Sequence, residues 1–303
     1  MSAGSSIGVD VGGTKVLAVR ISVEGTVQDV ATRPMPGRSA PEAEVEHAVV
    51  EAARAVSDGD GAAPIGVSAA GLVDRAGEHY LFGAHLPWRD APLRSRLAEQ
   101  TGHPVVLEND ANCAAYAELL LGAARDVDSA LLITIGTGIG GALVLDRRIV
   151  RGANGLAGEF GHMQVVPDGL ACECGLRGCW EQYCSGRALE RVTRVALGKH
   201  RDGPEVSRMA LDGDDVARQA FATIGTWLGV GVAGLVSAFD PERVVVGGGV
   251  SAVGDLLLAP ARSALLGSLQ GTGHRPVPDL VPAALGPQAG AIGAALLARD
   301  GRP

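Results

Sequence analysis

His162, Cys172, Cys174 and Cys179 follow the pattern His-x9-Cys-x-Cys-x4-Cys inside the stretch GEFGHMQVVPDGLACECGLRGCWEQ. Three thiolates and one imidazole suit tetrahedral Zn2+, and a site closed by four protein ligands is structural rather than hydrolytic. Such an ion would fold an otherwise irregular loop, and Gly175 and Gly178 supply the turns a tight metal loop needs. Ordinary buried thiols are the plainer reading, and Cys184 is close enough in sequence to stand in for Cys179. A Cys172–Cys174 disulfide is disfavoured, because cysteines separated by one residue rarely reach the required geometry. Cys113, on an Ala-rich segment, reads as core. Glu159 precedes His162 by three residues and Glu181 follows Cys179 by two, so a folded loop would hold both carboxylates beside it. There they could grip the hydroxyls of a polyol; the alternative is a pair of solvated surface acids.

A further carboxylate, Asp110 in LENDANCAAYAE, follows a short apolar segment and opens an Ala-rich helix. As an N-cap it would do no chemistry. As a general base at a strand end it could accept the proton of a substrate hydroxyl, with Asn109 hydrogen-bonding a neighbouring one. Phosphoryl transfer to an alcohol needs such a base, and positioning and charge compensation supply most of the rest. Phosphate-handling segments are present. GVDVGGTK matches neither G-x-x-x-x-G-K-[ST] nor G-x-G-x-x-G. Even so, Gly12 and Gly13 let backbone N–H groups approach an anion, Thr14 adds a hydroxyl, Lys15 a charge, and Asp10 could hold Mg2+ directly or through water. GTGIGG at 136–141 has the same design, and GGG at 247–249 follows a further strand. Plain Gly-rich turns are the competing reading.

The elements that must position these residues are legible in outline. SIGVDVGGTKVLAVRI reads as strand, tight turn, strand, and ALLITIGTGIGGALVLDRRIVRG repeats that design. The repetition, at residues 7–25 and 131–152, points to two related α/β halves facing each other. Between them lie a helix with Val45, Ala48, Val49, Ala52, Ala53 and Val56 at helical spacing, a strand IGVSA, a turn-like AGLVDRAG, and a helix over about 111–121. Helices follow from about Glu181 to Leu235, then the strand RVVVG, then a closing helix GAIGAALLARD. The expected division is a first lobe over 1–118, joined by a returning helix at about 289–303, and a second lobe over 119–288 carrying the metal loop.

The bulk composition narrows the class. A hydrophobic fraction of 47% in 303 residues supports a full-sized core. The 34 acidic residues outnumber the 26 basic ones, giving a net charge of −8, which disfavours a nucleic-acid binder. Only Lys15 and Lys199 among those bases are lysines. The N-terminal residues lack a secretory pattern, and no apolar run is read as reaching the ~20 residues of a bilayer span, so a soluble cytoplasmic protein without membrane partners is expected.

Together GVDVGGTK, LENDANCAA, ITIGTGIGG and GEFGH…CECGLRGCWEQYCSG resemble the ROK family (repressors, open reading frames and sugar kinases), over about residues 7–297. GCWEQYCSGRAL is similar to the ATP-dependent glucokinases of that family. The resemblance implies a two-lobed actin-like fold (ASKHA, ribonuclease H-like) with duplicated βββαβα-type domains around a cleft. It implies transfer of the ATP γ-phosphate to the 6-hydroxyl of a hexose, glucose foremost, with Mg2+ on the nucleotide and a structural Zn2+. Asp110 would be the base. Gly71, Asn109, Glu159, His162 and Glu181 would contact the sugar, with His162 also binding zinc beside Cys172, Cys174 and Cys179. Asp10, Gly12, Gly13, Thr14 and Lys15 would line the phosphate side, Gly136, Thr137 and Gly138 would face them, and Gly247, Gly248 and Gly249 would lie near the adenosine. A homodimer or homotetramer is expected from the family habit. Ala70 stands where a proline is common and His85 where an asparagine is common, and both bear on which sugar is taken. The other readings are an N-acetylmannosamine or N-acetylglucosamine kinase and a sugar-sensing regulator. The latter is disfavoured because only six residues precede Ile7, too few for a DNA-binding helix pair.

Overall fold

The computed structural model describes residues 4–57 and 63–301. The first half runs β1 (Ser6–Val11), β2 (Lys15–Ile21), β3 (Val27–Pro34), α1 (Glu42–Ala55), β4 (Ile65–Ala69), a hairpin of β5 (Leu72–Val73) and β6 (Tyr80–Phe82), α2 (Leu93–Thr101), β7 (Val105–Asn109) and α3 (Asp110–Leu121). The second half runs β8 (Ala130–Ile135), β9 (Ile139–Leu145), β10 (Arg148–Ile149), α4 (Gly186–Leu197), α5 (Gly203–Leu211), α6 (Asp215–Phe239), β11 (Arg243–Gly247), α7 (Asp255–Ser268), β12 (Asp279–Pro282) and α8 (Ala289–Arg299).

The two main sheets have the same plan, β3-β2-β1-β4-β7 and β10-β9-β8-β11-β12. In each, three strands form an antiparallel meander and two more add in parallel beside the first. Parallel neighbours require crossovers, which is where the helices enter. The repetition read from two glycine turns therefore extends to whole sheets, giving the duplicated two-lobed actin-like α/β fold.

Three apolar cores stack through the molecule. One lies between the first sheet and α1 and α2, with Val9, Val45, Trp88 and Leu97 at its centre. Another lies between the second sheet and α6 and α7, around Ile133, Trp180, Phe221 and Leu257. The third joins the sheets through α3 and α8, with Leu17, Leu119, Leu132 and Leu296. Strands in such layers are covered on both faces, so β1 reads SIGVDV with five of its six residues buried rather than alternating. Close approach comes from missing side chains. A Cβ at Gly8 would overlap the carbonyl of Ala291, and one at Gly66 that of Ala294, so α8 lies directly on β1 and β4. A Cβ at Gly293 would likewise overlap the carbonyl of Cys113, which seats α8 on α3.

Several expectations are corrected. The expected absence of a long apolar run fails at α6, whose 25 residues have a mean hydropathy of 1.6 in their most apolar window. Its length and composition would allow a bilayer span, but most of that window is buried inside the protein. This is the core helix of the second half, crossing α7 at Gly225 and Gly229, where Cβ atoms would overlap the α7 backbone. It also runs four residues beyond Leu235. The turn-like AGLVDRAG contains strand β5, which pairs with β6. The closing helix ends at Arg299, and residues 302 and 303 of the expected 289–303 segment lie outside the described residues.

Candidate active site

β7 ends at Asn109, and α3 begins on the next residue. Asn109, not Asp110, is the N-cap: its side-chain oxygen accepts the Asn112 N–H at 3.1 Å. Its Nδ2 donates to the Gly71 carbonyl at 2.9 Å. The capping alternative for Asp110 is thereby taken by its neighbour. Asp110 sits in the first turn, where the helix dipole favours a negative charge.

Two cavities meet at Asp110. One, of about 300 Å3, is lined by Gly71, Asn109, Gly136, Thr137, Gly138, Glu159, His162 and Glu181, and also by Ala70 and His85. The other, of about 210 Å3, is lined by Asp10, Gly12, Gly247, Gly248, Gly286 and Gly290 among others. Among the described residues, Asp110 is the one acid that lines both. Gly13, Thr14, Lys15 and Gly249 line neither. Gly13 does face the site, since a Cβ there would meet His85 Cβ at 3.3 Å.

The charges of this cleft act on one another. Burial, then the neighbouring Asp10 charge and, more weakly, Glu159, push the Asp110 carboxyl up to about 7, against the opposing N–H of Ala111. Asp10 is also raised, because burial outweighs the Ser68 hydroxyl and the Lys15 charge. Ser68 donates to Asp10 Oδ1 at 2.5 Å. Glu159 is raised by burial, countered by His162 and reinforced by Glu181. A carboxylate with its pKa near neutrality is suited to take a proton from an alcohol and later release it.

The metal-ligand candidates converge. One ligand atom from each of His162, Cys172, Cys174 and Cys179 lies within 4.8 Å of all the others. Cys174 Sγ is 3.6 Å from Cys179 Sγ, and Cys172 Sγ is 3.8 Å from His162 Nδ1. Tetrahedral Zn–S bonds of ~2.3 Å place sulfurs about 3.8 Å apart, so the residues fit such an ion. Cys184, the reserve candidate, is fully buried in the apolar core beside Ala188 and Leu189, and that burial raises its thiol pKa. The loop touches the cleft through Glu181, whose Oε1 accepts from Cys172 Sγ at 3.2 Å and lies 3.9 Å from His162 Nδ1. His162 Nε2 is 3.9 Å from Glu159 Oε2. One imidazole thus has a nitrogen toward the thiols and a nitrogen toward a cleft carboxylate.

The sequence model of the ROK family matches residues 6–301. The chain belongs to the ROK family. It is 40% identical to a glucokinase of Streptomyces coelicolor, the match covering 99% of each chain. Among solved structures, it superposes on a ROK family glucokinase from Streptomyces griseus in complex with glucose and AMPPNP with a TM-score of 0.90, 40% identity and 98% and 100% coverage of the two chains. A ROK hexokinase from Thermus thermophilus superposes with a TM-score of 0.80 at 39% identity, covering 97% of each chain.

Three parts of this ROK-family site had no signal in the sequence. Ser68 is the fourth residue of an apolar strand, and only the parallel pairing Asp10↔Ser68 brings it to Asp10. Tyr80 holds the wall bearing Ala70 and Gly71 by donating to the Ala70 carbonyl at 2.7 Å, stacked edge-on against Trp88. Burial, and less strongly the Asp110 charge, raise its pKa, so the hydroxyl stays a donor. Glu118, on α3 after Asp110, is buried and accepts backbone N–H groups of Ala123, Ala284 and Leu285 at 2.7 to 3.1 Å. Read alone, these are a strand serine, an aromatic and a helix glutamate.

Proposed function

We propose that the protein transfers the γ-phosphate of ATP to the 6-hydroxyl of glucose. The observation that supports this most is Asp110 at the junction of two cavities, one lined by acids and His162, the other by glycines and Asp10. Glucose occupies the first, contacted by Asn109, Glu159, His162 and Glu181, with Gly71 in the wall. ATP occupies the second, with its phosphates toward Gly12, Gly13, Thr14 and Lys15 and toward Gly136, Thr137 and Gly138, and its adenosine toward Gly247, Gly248 and Gly249. Asp10 is the residue to hold Mg2+, which neutralises charge on the phosphates. Asp110 accepts the proton of the 6-hydroxyl as that oxygen bonds to the γ-phosphorus and the bond to ADP breaks. Withdrawing both substrates from water limits ATP hydrolysis.

His162, Cys172, Cys174 and Cys179 hold a structural Zn2+, which keeps their loop folded. The loop in turn orients Glu181 and the free edge of His162. The lobes divide near residues 118–119, α8 returning to the first, and the active species is a homodimer or homotetramer, checked by light scattering.

The test is ADP release from MgATP with glucose, mannose, N-acetylmannosamine, N-acetylglucosamine and fructose at one concentration. A clear preference for glucose is expected. A preference for an N-acetylated sugar would keep the chemistry and replace the substrate. No turnover with any of them, in folded protein containing zinc, would overturn the reading.

A further inference from the structure

Two residues that line neither cavity tie together the two sides of the reaction. Glu108 is on β7, two positions before Asp110, and its side chain is 5% exposed. Arg151 follows β10 of the other sheet. Its Nε donates to Glu108 Oε2 at 2.5 Å, and its Nη2 pairs with the same oxygen. The other oxygen, Oε1, accepts the Asn109 N–H at 2.8 Å and Asn112 Nδ2 at 3.0 Å. The carboxylate is therefore gripped on both oxygens, from its own β7–α3 corner and from the opposite sheet.

Arg151 is equally placed on its own side. Its carbonyl accepts the Ala157 N–H at 3.1 Å, closing the short segment that ends at Gly158 and Glu159. Within that segment Gly155 has φ +87 and lies against the backbone of Asp74 and Arg75, so no side chain fits there. The chain from Arg151 to Glu159 is thus held at one end by Glu108 and in its middle by the loop after β5. Burying an ion pair contributes little net stability compared with apolar residues of the same size. What a forked guanidinium adds is direction, since its donors fix the angle and distance of the carboxylate.

We propose that Arg151 and Glu108 are positioning residues for phosphoryl transfer, setting the separation between Asp110 and the sugar-holding Glu159. This rests on the reading of Asp110 as base and of Glu159 as a sugar contact. Neither member of the pair touches substrate. Both act through the backbone, Glu108 through the Asn109 N–H and Arg151 through the loop it closes.

The experiment compares wild type, Arg151→Gln, Arg151→Lys and the double variant Glu108→Gln/Arg151→Gln in steady-state turnover with glucose and MgATP, alongside thermal melts. Misplacing reacting groups by about 1 Å costs about 10²-fold, so Arg151→Gln is expected to lose on that order in kcat with the glucose KM changed little. Arg151→Lys keeps the charge but not the fork, and is expected to recover part of kcat. The double variant removes the charge of buried Glu108 and that of half-buried Arg151 together, so its melting temperature is expected to return toward wild type while kcat stays low. Recovery of both kcat and melting temperature in the double variant would reduce the pair to a structural role and overturn the proposal. So would a loss confined to KM. Absence of wild-type turnover with every sugar would instead overturn the phosphotransfer reading on which the proposal stands.

Discussion

Helices α3 and α8 hold equivalent places in the two halves, each following the last parallel strand of its sheet. Both are Ala-rich and buried along most of their length, and each packs across onto the opposite sheet, α3 on β8 and β9, α8 on β1, β2 and β4. Their N-termini differ. The α3 terminus is capped by Asn109 and presents Asp110 to both cavities. The α8 terminus has no side-chain cap and begins Ala289-Gly290. A Cβ at Gly290 would come within 2.9 Å of Asp10 Oδ1 and 3.2 Å of Ser68 Oγ. One copy of the duplicated scaffold presents a carboxylate, and the other withholds a side chain, which leaves room for Asp10 and Ser68. Duplication supplied symmetric positions, and chemistry required that they be filled unequally.

The asymmetry between the two helix N-termini is tested most directly at its charged end. Asp110→Asn is expected to fold and to lose about 10²–10⁴-fold in turnover, the usual contribution of a general base. Turnover near wild type would remove Asp110 from that role. The close docking of α8 is tested next by Gly66→Ala, whose added methyl would overlap the Ala294 backbone. A loss of about 3 kcal/mol or more is expected in denaturant unfolding, since neither backbone can give way cheaply. An unfolding midpoint like that of wild type would show that α8 can move off the sheet. At the bare terminus, Gly290→Ala should raise the ATP KM about tenfold and leave the glucose KM nearly unchanged, the scale of a modest overpacking. Equal effects on both substrates would deny the terminus its special link to the nucleotide side.

The cysteine loop offers a test from outside the helices. Elemental analysis is expected to find about one zinc per chain. Cys174→Ser should lower the melting temperature and glucose binding together, whereas Cys184→Ser, a change in the apolar core, should lower only the former. Unchanged glucose binding in Cys174→Ser would separate the loop from the sugar pocket. The smallest effect is in pH. Asp110 must be ionised to act, and its pKa is raised to about 7. Thus log kcat/KM should fall by about one per unit as pH drops below 7 and level off above it. A limb near the ordinary carboxylate range would place the base in a more solvated setting. The sign for stability runs the other way. With its pKa raised on folding, Asp110 costs stability above its folded pKa and almost nothing well below its unfolded one, so Asp110→Asn should melt higher than wild type at pH 8 and nearly equally at pH 3.

The parts of this molecule legible before any coordinates were those with local signatures. Apolar segments broken by Gly-Gly marked β1–β2 and β8–β9, and the Cys-x-Cys-x4-Cys spacing marked a loop whose ligand atoms do converge. The elements that went unread had weaker signals. β3, VQDVATRP, is an edge strand with most residues exposed, so it shows no buried alternation. α2, LRSRLAEQT, buries only Leu93 and Leu97. α7 carries Pro260 in its interior, which argues against a helix in sequence, yet Pro260 packs into the space left by Gly225 of α6. Asn109 and Asp110 are both good caps, so the capping alternative for Asp110 was open in sequence, and only the geometry at Asn112 gives the cap to Asn109.

The chemical inventory is written in the sequence: a carboxylate just after an apolar strand, glycine-rich turns between strands, and one histidine and three cysteines at metal-ligand spacing. These depend on residue type and short spacing, which the chain carries locally. Only the tertiary structure decided that Asp110 stands where two cavities meet, that Ser68 reaches Asp10 across a parallel strand pair, and that Arg151 grips Glu108 from the opposite sheet. Those relations join residues distant along the chain, brought together by the β1–β4 pairing and by the packing of the two sheets through α3 and α8, where bare glycines on β1, β4 and α8 permit close approach.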